Sequence, residues 1–89
     1  MIQAMEKPKN RTLANYLLKI LNEKYACASE IKVKLESRHI EYKNEDFSPV
    51  LSNLLLNNCL CYNWINRKNA RIKYYHLTQT GRKEIAKLV

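Results

Sequence analysis

Leu60-Cys61-Tyr62-Asn63-Trp64-Ile65-Asn66-Arg67-Lys68-Asn69-Ala70-Arg71-Ile72-Lys73-Tyr74-Tyr75-His76-Leu77 decides the fold. Leu60 to Asn66 is rich in aromatic and branched residues and predicts a strand, and Ile72 to Leu77 predicts its partner. Between them, Arg67 to Arg71 is polar with Asn69 at its centre. Two such runs around a short polar turn predict a β-hairpin.

Upstream, three stretches follow helical spacing. Leu13, Tyr16, Leu17, Ile20 and Leu21 recur at i, i+3, i+4, i+7 and i+8, which predicts a helix from Asn10 or Thr12 to about Lys24, broadened into the core by Ala14 and Leu18. Ser29 is the expected cap of a second helix, Glu30 to Ser37, although Ile31, Val33 and Leu35 alternate with Lys32, Lys34 and Glu36 in a strand-like period. A third helix starts between Asn44 and Ser48, because Pro49 is tolerated only near a helix start, and buries Phe47, Val50 or Leu51, Leu54 and Leu55. One residue of the pair Asn57-Asn58 is its expected left-handed terminator, since the chain has one glycine against ten asparagines. Downstream of the hairpin, Thr78 caps a short helix that turns Ile85, Leu88 and Val89 inward.

The expected fold class is therefore α+β, mainly α: a winged helix with a three-helix helix-turn-helix core, a two-stranded β-hairpin wing and a short C-terminal helix. The expected division is a flexible basic arm over residues 1–9, with Lys7 and Lys9 and then Arg11 as its cations, and one winged-helix domain over residues 10–89. With 89 residues there is room for one small core, burying about 60–65% of the unfolded surface. No apolar run approaches the roughly 20 residues of a membrane span. Met1 to Lys9 lacks the apolar block of a signal peptide, so an intracellular, cytoplasmic and DNA-associated location is expected.

Two segments resemble a known family. Ser48-Pro49-Val50-Leu51-Ser52-Asn53-Leu54-Leu55-Leu56-Asn57-Asn58-Cys59-Leu60 is similar to the recognition helix and exit of PadR-like winged-helix regulators. Tyr75-His76-Leu77-Thr78-Gln79-Thr80-Gly81-Arg82 is similar to the end of their wing, with the single glycine of the chain on that motif. Ser48 stands where that family carries an aromatic residue, and Asn58 or Cys59 where it carries glycine. The sequence also ends at Val89, short of the family's long C-terminal dimerisation helix. Small winged-helix proteins of archaeal viruses and plasmids compare equally well. The resemblance covers about Ser29 to Lys87 and implies a DNA-binding transcription regulator.

Charge points the same way. Sixteen Lys and Arg against eight Asp and Glu give +8, and the isoelectric point is about 9.6. From Phe47 to Lys83 there is no acidic residue. Such a one-signed surface suits nucleic acid first and an anionic membrane next, with a merely solvated basic face as the plain alternative. The expected partner is double-stranded DNA, bound by a homodimer, with no membrane partner. On the third helix Ser48, Ser52 and Asn53 are the candidate base readers, Asn being suited to adenine, although Glu45 and Asp46 precede them and the helix carries no cation. Arg67, Lys68, Arg71 and Lys73 on the wing, and Lys32, Lys34 and Arg38 on the second helix, are the candidate phosphate contacts. The wing cations also discourage edge-to-edge strand pairing. Non-specific architectural DNA binding, or a protein-interaction module docking an acidic partner, are the competing functions.

Tyr62, Trp64, Tyr74 and Tyr75 are read either as a stacking platform for single strands or, more commonly for a small hairpin, as cross-strand pairs and core. Tyr75 and Leu77 are expected on the core face, Tyr74 and His76 on the other. Cys27, Cys59 and Cys61 lack zinc-site spacing and read as buried free thiols, the last two pointing apart. His39 and His76 have no evident partners, and no catalytic, metal or cofactor site is expected.

Overall fold

The computed structural model describes residues 8–87. The elements run α1 (Pro8–Glu23), β1 (Ala26–Cys27), α2 (Ala28–Ser37), α3 (Asn44–Leu56), β2 (Leu60–Arg67), β3 (Ala70–Leu77) and α4 (Gln79–Ala86). The winged-helix arrangement expected from the sequence is present: three helices, a hairpin and a short last helix. Residues 1–7 of the expected arm lie outside the described residues, as do Leu88 and Val89, while Pro8 and Lys9 already belong to α1. That helix begins before Asn10, consistent with the tolerance of proline in a first turn.

Leu17 and Ile20 on α1 have no solvent exposure, and Leu13, Leu18 and Leu21 beside them are buried. They meet Ile31 and Leu35 of α2, Phe47, Val50, Leu51 and Leu54 of α3, and Leu60 and Tyr75 of the hairpin in one core. The α2 stretch is helical despite its alternation, because Ile31 and Leu35 lie one turn apart on the core side while Val33 faces solvent. Its cap is Cys27 rather than Ser29: the Glu30 carboxylate accepts a hydrogen bond from the Cys27 amide at 3.2 Å. The sequence reading missed β1 as a strand. Its two residues pair antiparallel with β3, Ala26 opposite Tyr75 and Cys27 opposite Tyr74, giving a three-stranded sheet in the order β1-β3-β2.

α2 and α3 end on the same device. His39 (φ 58°) and Asn58 (φ 63°) are left-handed, and the amides that follow reach back into each last turn, Ile40 to the Leu35 carbonyl and Cys59 to that of Leu54, both at 2.9 Å. These are Schellman closures with His and Asn in the place of glycine. α3 starts at Asn44, which sets Pro49 inside the helix rather than in its first turn. The carbonyl of Glu45 therefore lacks its helical donor; Glu45 and Pro49 are both exposed, where water can replace it.

The hairpin turn is narrower than the five-residue stretch Arg67 to Arg71 suggests. Arg67 pairs with Ala70, so Lys68 and Asn69 alone make the turn, and Ala70 and Arg71 belong to β3. Lys68 (φ 46°) and Asn69 (φ 66°) are both left-handed, as a two-residue type I′ turn requires. At the root of the hairpin, Thr78 caps α4: its hydroxyl donates to the Asn58 carbonyl at 2.6 Å and accepts from the Gly81 amide at 3.0 Å. Among the described residues no helix is long and apolar enough to cross a membrane.

Candidate nucleic-acid interface

α3 buries one side and leaves Ser48, Pro49, Ser52, Asn53 and Leu56 exposed on the other. Ser48, Ser52 and Asn53 fall at i, i+4 and i+5, so they share a face. Asn53 is held: its side-chain oxygen accepts from the Asn57 amide group at 2.9 Å, which orients its own amide N–H donors. Glu45 and Asp46 lie in the first turn, where carboxylates favour the helix dipole. Leu56, with 85% of its surface exposed, makes the end of this face apolar.

The wing cations do not share one face. Successive strand residues point to opposite sides of a sheet, and the register places Trp64 opposite Lys73, Asn66 opposite Arg71 and Tyr62 opposite Tyr75 on the side that continues from the core. There the Arg71 guanidinium lies 4.8 Å from the Trp64 ring centre, and the Lys73 ammonium 4.3 Å from that of Tyr62 and 5.3 Å from that of Trp64. Arg67 is on the reverse side, 5.8 Å from the Tyr74 ring. Tyr74 and His76 do point away from the core, as expected; yet Tyr74 is buried, because Tyr25 packs edge-on to it at 5.8 Å and Arg67 covers it. His76 stacks on Tyr25 at 4.9 Å. A groove of about 450 Å³ lies on this side, walled by Tyr25, Val33, Lys34, Arg67 and Tyr74. Lys68 sits in the turn between the two sides.

The α2 cations are engaged within the protein. Lys32 donates to the Asn44 side-chain oxygen at 2.9 Å and lies 4.8 Å from the Phe47 ring, bracing the start of α3. Lys34 and Arg38 converge on Glu23 at the end of α1, at 3.7 and 2.5 Å. The Arg38 hydrogen bond holds the Glu23 carboxyl below the ordinary carboxylate range. Two cations share one carboxylate, so this corner keeps a net positive charge.

Cys27 and Cys59 are buried as expected, but Cys61 is exposed, because alternation along β2 turns it to the side of the hairpin away from the core; the two thiols therefore point apart. Burial pushes the Cys59 thiol up, assisted by the charge of Glu84. Among the described residues no group of His, Cys, Asp and Glu is arranged to hold a metal. The sequence reading offers Tyr62 and Trp64 as a stacking platform or as cross-strand pairs; the register makes them cross-strand neighbours of Tyr75 and Lys73, half-exposed on the core side of the wing.

No protein-family model matches the sequence, and no curated protein matches it. Solved structures do match in shape. A PadR-like transcription factor from Bacteroides fragilis is 26% identical with a TM-score of 0.80, the match covering 89% of this chain and 78% of that one. A PadR family transcription regulator from Clostridium difficile is 22% identical with a TM-score of 0.77, covering 83% and 79%. Bacillus subtilis PadR, solved in complex with operator DNA, is 18% identical with a TM-score of 0.79, covering 88% of this chain and 46% of that one. The fold is the winged helix of the PadR-like transcription regulators.

Proposed function

We propose that this chain is a sequence-specific double-stranded DNA-binding transcription regulator acting as a homodimer. In this reading α3 enters the major groove, and the wing lies on the backbone or in the minor groove. The observation that carries it is the neutral hydrogen-bonding face of α3, Ser48, Ser52 and Asn53, running into a wing lined with cations and free of carboxylates. Neutral donors on a rigid helix suit base edges, and flanking cations suit phosphates. The operator complex of a protein of the same fold supports it. The dimer follows from scale: one such module buries roughly 600–1,000 Å² on DNA, and paired half-sites are the usual route to tight, specific binding. Lys34 and Arg38 would reach phosphate by exchanging Glu23 for it, and no residue is assigned a catalytic step.

Selection of bound duplexes from a random pool, followed by gel shifts of the selected and random duplexes across a salt series, tests this. A preferred sequence, bound with a steep salt dependence, is expected. Weak duplex binding without sequence preference would overturn it and favour docking to an acidic protein partner. Tight binding without preference would reduce the function to architectural DNA binding.

A further inference from the structure

The core-side face of the wing exposes two aromatic rings. Tyr62 and Trp64 are 44% and 49% exposed, although their cross-strand neighbours hold them in place. Tyr62 rests edge-on against the buried Tyr75 at 6.4 Å, and Trp64 stands edge-on to Tyr62 at 6.2 Å with an interplanar angle of 85°. Arg71 and Lys73 border these rings, and no carboxylate occurs between Phe47 and Lys83 to neutralise them. Rings fixed in place, half-open to solvent and bordered by cations are what bases with free π-faces bind. In a duplex those faces are covered by neighbouring pairs. The right angle between the rings adds a constraint: two stacked, parallel bases cannot lie flat on both, so only a strand whose bases rotate independently can use both.

We propose that this face of the wing is a second nucleic-acid site, which takes unpaired bases of single-stranded DNA or RNA on Trp64 and Tyr62 with Arg71 and Lys73 on the adjoining phosphates. The site is separate from the α3 face, and its occupant differs from the duplex assigned to that face. It gives the protein a means of holding a melted or single-stranded segment.

Trp64 is the only tryptophan, so its fluorescence reports the site directly. Homopolymers of deoxythymidine and of uridine about 12 nucleotides long, titrated into the full chain, should quench it, and the two arms distinguish DNA from RNA. By anisotropy of the labelled oligomers, Trp64→Ala and Tyr62→Ala should each weaken single-strand binding about 5- to 150-fold. Trp64→Phe should restore most of it, and random-duplex affinity should change little in all three. Asn53→Ala should leave single-strand binding intact, so failure of the α3 reading and failure of this one are read separately. Thermal melting of each variant checks folding. Three results would overturn the proposal: single-strand affinity unchanged in Trp64→Ala, equal losses on single strands and duplex, or self-association that Trp64→Ala abolishes without any quenching by the oligomers.

Discussion

At Gly81 an added Cβ would lie 2.3 Å from the Cys59 carbonyl oxygen and 2.7 Å from Leu77 Cδ1. The first of these is backbone, fixed by its hydrogen bond from the Thr78 amide at 3.0 Å, so it cannot give way. Gly81→Ala is therefore expected to cost about 1–3 kcal/mol, a loss that thermal melts resolve, whereas Ala70→Ser in the exposed wing should be nearly neutral. The glycine is needed here for close approach, since its φ is not positive. Asn53 makes a contrasting case. It is exposed and supports no core, so Asn53→Ala should leave the melting temperature almost unchanged. On the preferred duplex it should cost roughly 1–3 kcal/mol, and on random duplex almost nothing. Competition titrations on both duplexes decide this, and equal losses would move base reading to the wing or the N-terminal arm.

The wing combines two demands that one substitution separates. Lys68 has φ 46°, a region that costs an L-residue other than Asn or Gly roughly 1 kcal/mol or more. Lys68→Asn should recover part of that and raise the melting temperature. It also removes a cation from the tip, so the log–log salt slope of DNA binding should flatten by about one per protomer. Neutralising Arg67 and Lys68 together should lower affinity for specific and random duplexes alike and flatten the slope by about two per protomer. Arg67 and Arg71 lie on opposite sides of the ribbon, so a wing that presents a single side to DNA should respond to one of the two arginines and not the other. Gel shifts with the single substitutions distinguish them.

For the whole molecule the test is the sum of charges. If each protomer of a dimer covers about three to five phosphates, the salt slope should be roughly −5 to −9. Acid acts through the tie between α1 and α2. The Glu23 carboxyl is held below its unfolded value, so its contribution is complete above that value and is lost as pH falls through the folded one. Melting temperatures of the native chain and Glu23→Gln should therefore differ slightly near neutrality and converge in acid; the exposure of the pair keeps the difference small. Much of this architecture was legible in the residue order, because Leu13 to Leu21 and Phe47 to Leu55 carry clear helical periods and Thr78 and Asn58 close their elements by local chemistry. β1 was not, since two residues show no period and gain their strand character from pairing with Tyr74 and Tyr75, nearly fifty positions away. Register was the other gap. A turn centred on Asn69 and one made by Lys68-Asn69 differ by one residue, and that slip decides which cations share a face with Trp64. The engagement of Lys34 and Arg38 by Glu23 depends on how α1 and α2 pack, which spacing alone does not encode.

β1 pairs with β3 only at Tyr74 and Tyr75, so the sheet is three strands wide at its root and two strands wide from Lys73 to the tip. Mechanically the wing is a beam clamped at one end, and its deflection grows with distance from the clamp. Amide protons near Tyr74 should exchange slowly with solvent, and those around Asn66 and Arg71 quickly. A contact made by Lys68 at the free end must suppress the widest excursion before it contributes to binding, so it returns less affinity than the same contact made by Lys73 nearer the root.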